Sequence, residues 1–213
     1  MKRLKKEYYF ISVLLILFIV LTIFVVGGKT SVIDEAFFNN VIKIENNVLT
    51  KILYVITNIG STIGVVIILI LLAIFFMRRK NLSDFKYVLA NVSIGVILMK
   101  VLKHIIKRIR PSWKWIVQSG FSYPSGHTIS AVLLYGTLIL LVNKKVNEKY
   151  KKPLMIFFLI MIFLISISRI YFGVHYLTDV VASLILGSII LIISNSFMNK
   201  EFLNDKDNDR KTI

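Results

Sequence analysis

Apolar runs of about twenty residues, each closed by a cluster of Lys and Arg, repeat along most of this 213-residue chain. A helix needs ~20 mostly apolar residues to cross a ~30 Å hydrocarbon core, so the runs read as membrane spans. Six are predicted, over residues 8–28, 51–77, 85–106, 125–142, 153–172 and 176–197. The second holds Gly60 and Gly64, where a bend is expected. Lys2, Arg3, Lys5 and Lys6 precede the first run, as they would in a signal peptide. A signal peptide has a shorter apolar region and a small-residue cleavage site; "VVGGKTS" is a poor one, and a retained anchor is expected. Residues 29–50 are mixed. Ser31 with Asp34 resembles a capping box, and Phe37, Val41, Ile44 and Val48 fall at helical spacing. This stretch reads either as a short amphipathic helix at the interface or as the start of the second span. The expected fold is all-α: an integral membrane bundle of six transmembrane helices, with the short amphipathic helix after the first. It forms one domain over 1–198, followed by a disordered cytoplasmic tail over 199–213.

Composition supports lipid as the solvent. Hydrophobic residues make up 56%, above the ~45–50% usual for soluble domains, and mean hydropathy is +0.76. With no cysteine, disulfides, thiolate metal sites and a thiol nucleophile are excluded. The net charge of +16 would suggest nucleic acid in a soluble chain. Here the cations sit at the ends of apolar runs, which suits anionic headgroups and not nucleic acid. Their distribution also sets a topology. Basic clusters at residues 2–6, 78–86 and 144–152 all fall on one side of a six-span chain, which the positive-inside rule assigns to the cytoplasm together with both termini. The link after the third span defies that rule. It carries Lys100, Lys103, Lys107, Arg108, Arg110 and Lys114 on the outer side, so another reason for these charges is needed.

Chemistry gathers at the same end. Between residues 87 and 199 the only carboxylates are Glu148 and Asp179, too few for a divalent-metal site of the usual phosphate-handling kind. Lys103, Lys107 and Arg110 recur at helical spacing, with Pro111 expected to end the helix. Such a stripe suits a phosphate, though lipid-headgroup anchoring would use the same residues. In "FSYPSGHTIS", Pro124 and Ser125 fit a helix start. Gly126 admits an anion to the free N–H groups, and His127 can move a proton; an ordinary cap with an incidental His is the plainer reading. His175 and Asp179 are four apart, so on a helix they share a face. Asp179 can then fix the imidazole tautomer and leave one nitrogen as nucleophile or base, and Arg169 adds a second phosphate fork. A buried structural His–Asp pair would look the same. The three clusters gain force together, because the topology opens all of them on one face.

These stretches resemble the type 2 phosphatidic acid phosphatase family, membrane relatives of vanadium-dependent haloperoxidases. Lys103, Arg110 and Pro111 match its first motif, Pro124 to His127 its second, and Ser168, Arg169, His175 and Asp179 its third. The resemblance implies that His175 attacks phosphorus to form a phosphohistidine, that Asp179 orients it, and that His127 protonates the leaving oxygen and then activates water. Lys103, Arg110, Ser125, Gly126 and Arg169 would bind the phosphoryl oxygens. It implies neither metal nor other cofactor. The enzyme would be a phosphoric ester or anhydride hydrolase of the cell membrane, working at the outer face on a lipid phosphate held in the bilayer. Phosphatidylglycerophosphate, phosphatidic acid and undecaprenyl pyrophosphate are the family's substrates of this kind. A lipid phosphotransferase would use the same site, a haloperoxidase would share the pocket but is mostly a soluble form, and a transporter would want polar residues along the whole membrane path.

Overall fold

A computed structural model describes residues 2–113 and 115–211, with side chains for 6–113 and 115–197. Among these residues the chain is helical and has no strand. The helices are α1 (Lys2–Val26), α2 (Ser31–Ile42), α3 (Asn47–Ile59), α4 (Thr62–Arg78), α5 (Leu82–Ile106), α6 (Gly126–Lys145), α7 (Glu148–Tyr171) and α8 (Leu177–Lys211). Five of them are long and apolar enough to cross a membrane. α3 and α4 pass the same test only as a pair, bent by 58° at their junction, and make the sixth if counted as one span. The chain is thus a multi-pass helical bundle, and its outward Ile, Leu and Phe side chains on α1, α4 and α7 are exposed in a belt that lipid would cover.

Polar residues punctuate the apolar runs where a helix must start. Asn46 accepts from the Leu49 N–H, Ser61 from Gly64, Ser125 from Thr128 and Asn147 from Lys149, each satisfying a donor that would otherwise lack a partner in lipid. Asn147 starts α7 five residues ahead of the expected position. Pro153 then lies inside the helix and forgoes one backbone bond near its N-terminus. The bend in the second span falls at Gly60 and Ser61, because Ser61 caps a new helix there.

α6 is the axis of the bundle and packs against α5, α7 and α8. Its approach to α5 is possible because residue 95 is glycine: a Cβ there would meet the Leu133 side chain. At Gly187 on α8 a Cβ would come within 2.5 Å of Val132, so small residues set the spacing as they do in membrane bundles. At the far end from the motifs, Lys145 of α6 pairs with Asp84 of α5 at 2.7 Å.

Two expectations need correction. The capping box at Ser31 is absent: no side chain caps α2, and Asp34 is turned inward toward α8 because a cation and a helix end wait there. The face of residues 29–50 reaches only as far as Val41, since α2 stops at Ile42 and leaves Ile44 and Val48 exposed. The stretch forms its own helix and is not simply the start of the second span. α8 is traced to Lys211, and the tail expected over 199–213 lies outside the residues whose side chains are described.

Candidate active site

The site is assembled where four helix ends meet. α5 delivers Lys103 in its last turn and then stops four residues sooner than a stripe through Arg110 requires. Lys107 closes it in the left-handed region, with φ at 52°. Lys107 is exposed and does not join Lys103 and Arg110, while Arg110, held out of helix by the following Pro111, arrives on the loop. Its Nε donates to the Gly120 carbonyl at 3.0 Å and its guanidinium to the Val174 carbonyl at 2.7 Å and to His175 Nε2 at 3.1 Å. Lys103 donates to the carbonyls of Phe121 and Ser122 and so braces the loop that leads into α6.

Ser125 caps α6, as its sequence neighbours suggest. Its hydroxyl oxygen accepts from the Thr128 hydroxyl at 3.0 Å, and its N–H donates to the Asp179 carbonyl at 3.3 Å. Ser183 of α8 donates to the Ser125 carbonyl at 3.1 Å, so the start of α6 is pinned to α8. Gly126 and His127 form the first turn, where N–H groups are left for an anion.

His175 and Asp179 meet, but not through a shared helix face. α8 begins at Leu177, so His175 lies ahead of it in the turn after Gly173, a glycine with φ at 62°. Asp179, in the first turn of α8, reaches back. Its Oδ2 accepts from His175 Nδ1 at 3.3 Å and from the Tyr176 N–H at 3.0 Å. Because a carboxylate only accepts, Nδ1 carries the proton, and Nε2 is left with a lone pair facing Arg110. His175 is 3% exposed. Burial, then the positive charges of Arg110, Arg169 and Lys103, hold the imidazole well below its usual range. It is therefore neutral at physiological pH, the form that has an electron pair to give. Burial also lowers Arg110, with Asp179 opposing.

Arg169 comes from the last turn of α7 and is 1% exposed. Its guanidinium donates to Thr57 at 2.5 Å and to Gln118 at 3.2 Å, while Nε is buried without a partner. An unpartnered guanidinium nitrogen beside two imidazoles is an invitation to an anion. His127 and Arg169 together line a cavity of about 510 Å³ of mixed character, with Thr57, Asn58, Ser61 and Gln118 beside apolar Ile116 and Val117, at the break between α3 and α4. His127 and Gly126 also border a cavity of about 540 Å³, mostly apolar, between α4, α5 and α6. The structure thus brings Lys103, Arg110, Ser125, Gly126, His127, Arg169, His175 and Asp179 to one end of the bundle. Among the described residues no three His, Asp or Glu side chains gather as a metal-ligand set.

Sequence reasoning missed Arg108. It lies inside the first cluster but outside every motif position. In the structure it donates to Asp179 Oδ1 at 2.6 Å and to Asp34 Oδ2 at 2.7 Å. Burial alone would lower this guanidinium, but the two carboxylates hold it above its ordinary value. Thr57 and Gln118, the partners of Arg169, were missed too.

The PAP2 superfamily model matches residues 85–203, which is more than half of the chain and includes the three motifs from Lys103 to Asp179. The chain belongs to this superfamily: it is a membrane phosphatase of the lipid phosphatase kind, a phosphoric ester hydrolase. Among similar proteins, phosphatidylglycerophosphatase B of Bacillus subtilis (strain 168) is 31% identical over 88% of this chain and 94% of its own. An undecaprenyl-diphosphatase of Sulfolobus acidocaldarius is 28% identical over 90% and 91%. The crystal structure of a transmembrane PAP2-type phosphatidylglycerolphosphate phosphatase from Bacillus subtilis superposes with a TM-score of 0.82 at 28% identity, covering 89% of this chain and 96% of that one. Aquifex aeolicus LpxE shares the fold, with a TM-score of 0.64 at 24% identity over 76% and 94% of the two chains.

Proposed function

We propose that this enzyme removes the terminal phosphate of a membrane lipid through a phosphohistidine on His175, without metal, and that phosphatidylglycerophosphate is its preferred substrate class. The observation that carries the mechanism is the His175 imidazole: Nδ1 is occupied by Asp179, and Nε2 faces the Arg110 guanidinium at 3.1 Å. The Nε2 lone pair attacks phosphorus, and the bond from phosphorus to the leaving oxygen breaks as His127 gives that oxygen a proton. His127 then takes a proton from water, whose oxygen attacks phosphorus. The P–N bond breaks, its electrons return to Nε2, and orthophosphate leaves. Arg110, Arg169, Lys103 and the N–H groups at Gly126 and His127 neutralise the phosphoryl oxygens, a positioning and electrostatic task.

Two features support a lipid with a polar linker. The apolar cavity beside His127 offers room for acyl chains within the bundle, and the second cavity, where Thr57, Asn58, Ser61 and Gln118 lie among apolar side chains, suits a glycerol. The 31% identity to a phosphatidylglycerophosphatase points the same way. Purified protein in detergent, given phosphatidylglycerophosphate, phosphatidic acid and undecaprenyl pyrophosphate in excess EDTA, should release phosphate, fastest from the first. Loss of activity in EDTA with recovery in magnesium would overturn the metal-free mechanism, and a preference for the pyrophosphate would overturn the substrate. Phosphate transferred to a lipid in place of free phosphate would make the enzyme a transferase.

The site faces outward in this reading, because the basic links 78–86 and 144–152 lie at the other end of the bundle. Cysteine at Ser119 should react with an impermeant thiol reagent in intact cells, and cysteine at Asn147 should not. The reverse pattern would invert the topology.

A further inference from the structure

Asp179 has two carboxylate oxygens, and the family motifs account for one. Oδ2 serves His175 and the Tyr176 N–H, whereas Oδ1 is taken by Arg108 at 2.6 Å. The same Arg108 nitrogen donates to the Thr178 hydroxyl at 2.8 Å. Its other terminal nitrogen reaches away from the site, to Asp34 Oδ2 at 2.7 Å and the Thr30 hydroxyl at 3.2 Å. Asp34 lies on α2 and is 1% exposed. Its Oδ1 accepts from the Thr178 N–H at 3.0 Å, and its Oδ2 also from the Thr178 hydroxyl at 2.9 Å. It therefore caps the start of α8 from another helix. Aromatic packing holds this arm in place: Phe38 of α2 stacks on Trp113 at 5.0 Å, Trp113 meets Tyr176 edge-on at 5.9 Å, and the Arg108 guanidinium lies 3.9 Å over the Tyr176 ring.

We propose that Arg108 and Asp34 are positioning residues for the nucleophile, and that α2 exists in this fold to bring Asp34 to Arg108. The inference rests on the reading of His175 as nucleophile and Asp179 as its orienting partner. The terminal torsion of a carboxylate is broad and weakly held by the side chain itself. Fastened only at Oδ2, the Asp179 carboxylate could rotate and release Nδ1. With Oδ1 held by one Arg108 nitrogen in a charge-assisted bond, the carboxylate is fastened at both oxygens and its plane is fixed, and with it the direction of the His175 lone pair. Asp34 performs the same service one step back. It occupies the remaining fork of Arg108, so the cation is shared between two buried carboxylates and cannot swing toward the phosphate. The arrangement gives Arg108 a task distinct from that of Arg110, two residues on: Arg110 faces the substrate side of His175, and Arg108 faces the carboxylate behind it.

The test is steady-state kinetics of phosphate release with Arg108→Gln, Arg108→Lys and Asp34→Asn, alone and combined with Asp179→Asn, alongside thermal unfolding in detergent. Asp34→Asn keeps an acceptor for the Thr178 N–H and removes the charge and the acceptor that faces Arg108. Loss of an outer partner that orients a functional group costs ~10–100-fold, so Arg108→Gln should lower kcat by that order with KM little changed. Arg108→Lys should recover part of the loss. In the Asp179→Asn background Arg108→Gln should cost nothing more, because the contact it serves is already gone. If Arg108→Gln does not fold, Arg108→Lys and Asp34→Asn carry the same cycle. Losses that multiply in the double variant would overturn the proposal, as would a raised KM with kcat intact, which would make Arg108 a substrate ligand. The mechanism itself is judged separately. Full activity in His175→Ala and Asp179→Asn would sink the histidine pathway, while their impairment beside wild-type kcat in the Arg108 and Asp34 variants would sink only this inference.

Discussion

His175→Ala will be inactive on every substrate, whatever its tail or leaving group. The reason is specific to covalent catalysis. A side chain that only binds phosphate can be lost at the cost of one charge-assisted contact, and four cationic or N–H partners would still hold the anion. The nucleophile has no substitute, because Asp179 is spent on His175 Nδ1 and on Arg108 and Ser125 is spent as the cap of α6. Deleting a covalent nucleophile costs on the order of 10⁶-fold, far beyond the loss of a ligand. The variant should remain folded and should still bind orthophosphate, since Arg110, Arg169 and Lys103 are untouched. Activity within tenfold of wild type would remove His175 from the chemistry.

His127→Ala should behave differently, and its cost should depend on the leaving group. In the first half-reaction His127 gives a proton to the departing oxygen. An alkoxide leaving from phosphatidic acid is a strong base and needs that proton, while p-nitrophenolate is a weak base and does not. General acid catalysis is worth ~10²–10⁴-fold, so the first turnover on phosphatidic acid should slow by about that factor and on p-nitrophenyl phosphate should hardly change. In the second half-reaction water needs a base with either substrate. His127→Ala should thus give a burst of p-nitrophenolate followed by a slow steady rate, with phosphoenzyme accumulating. Equal slowing of the first turnover on both substrates, with no burst, would reduce His127 to a phosphate ligand.

The spans and the motifs were legible because each has a local signature. A run of some twenty apolar residues admits one reading, and an ionisable group at its mouth is costly enough to mark function. Ser125 shows the same legibility at the level of one residue: a hydroxyl ahead of an apolar run predicts a cap, and the cap is there. What failed was local geometry near chain reversals. The stripe through Lys107 assumed a helix that Lys107 itself ends. The shared face of His175 and Asp179 assumed a helix that starts only at Leu177, though the contact survives because Asp179 lies in the first turn and reaches back. The long-range partners had no signature at all. Asp34 and Arg108 are 74 residues apart and Thr57 and Arg169 are 112. Nothing near Asp34 distinguishes it from a helix-start carboxylate until α8 is packed beside it.

The most direct test of a histidine nucleophile is to trap the intermediate. His127→Ala, mixed with p-nitrophenyl phosphate labelled at phosphorus and quenched in alkali within the burst, should carry label on the protein. A phosphoramidate survives alkali and is lost in acid, and peptide mass spectrometry should place it on His175. Label on any other residue, or a burst with no protein-bound phosphate, would contradict the covalent pathway.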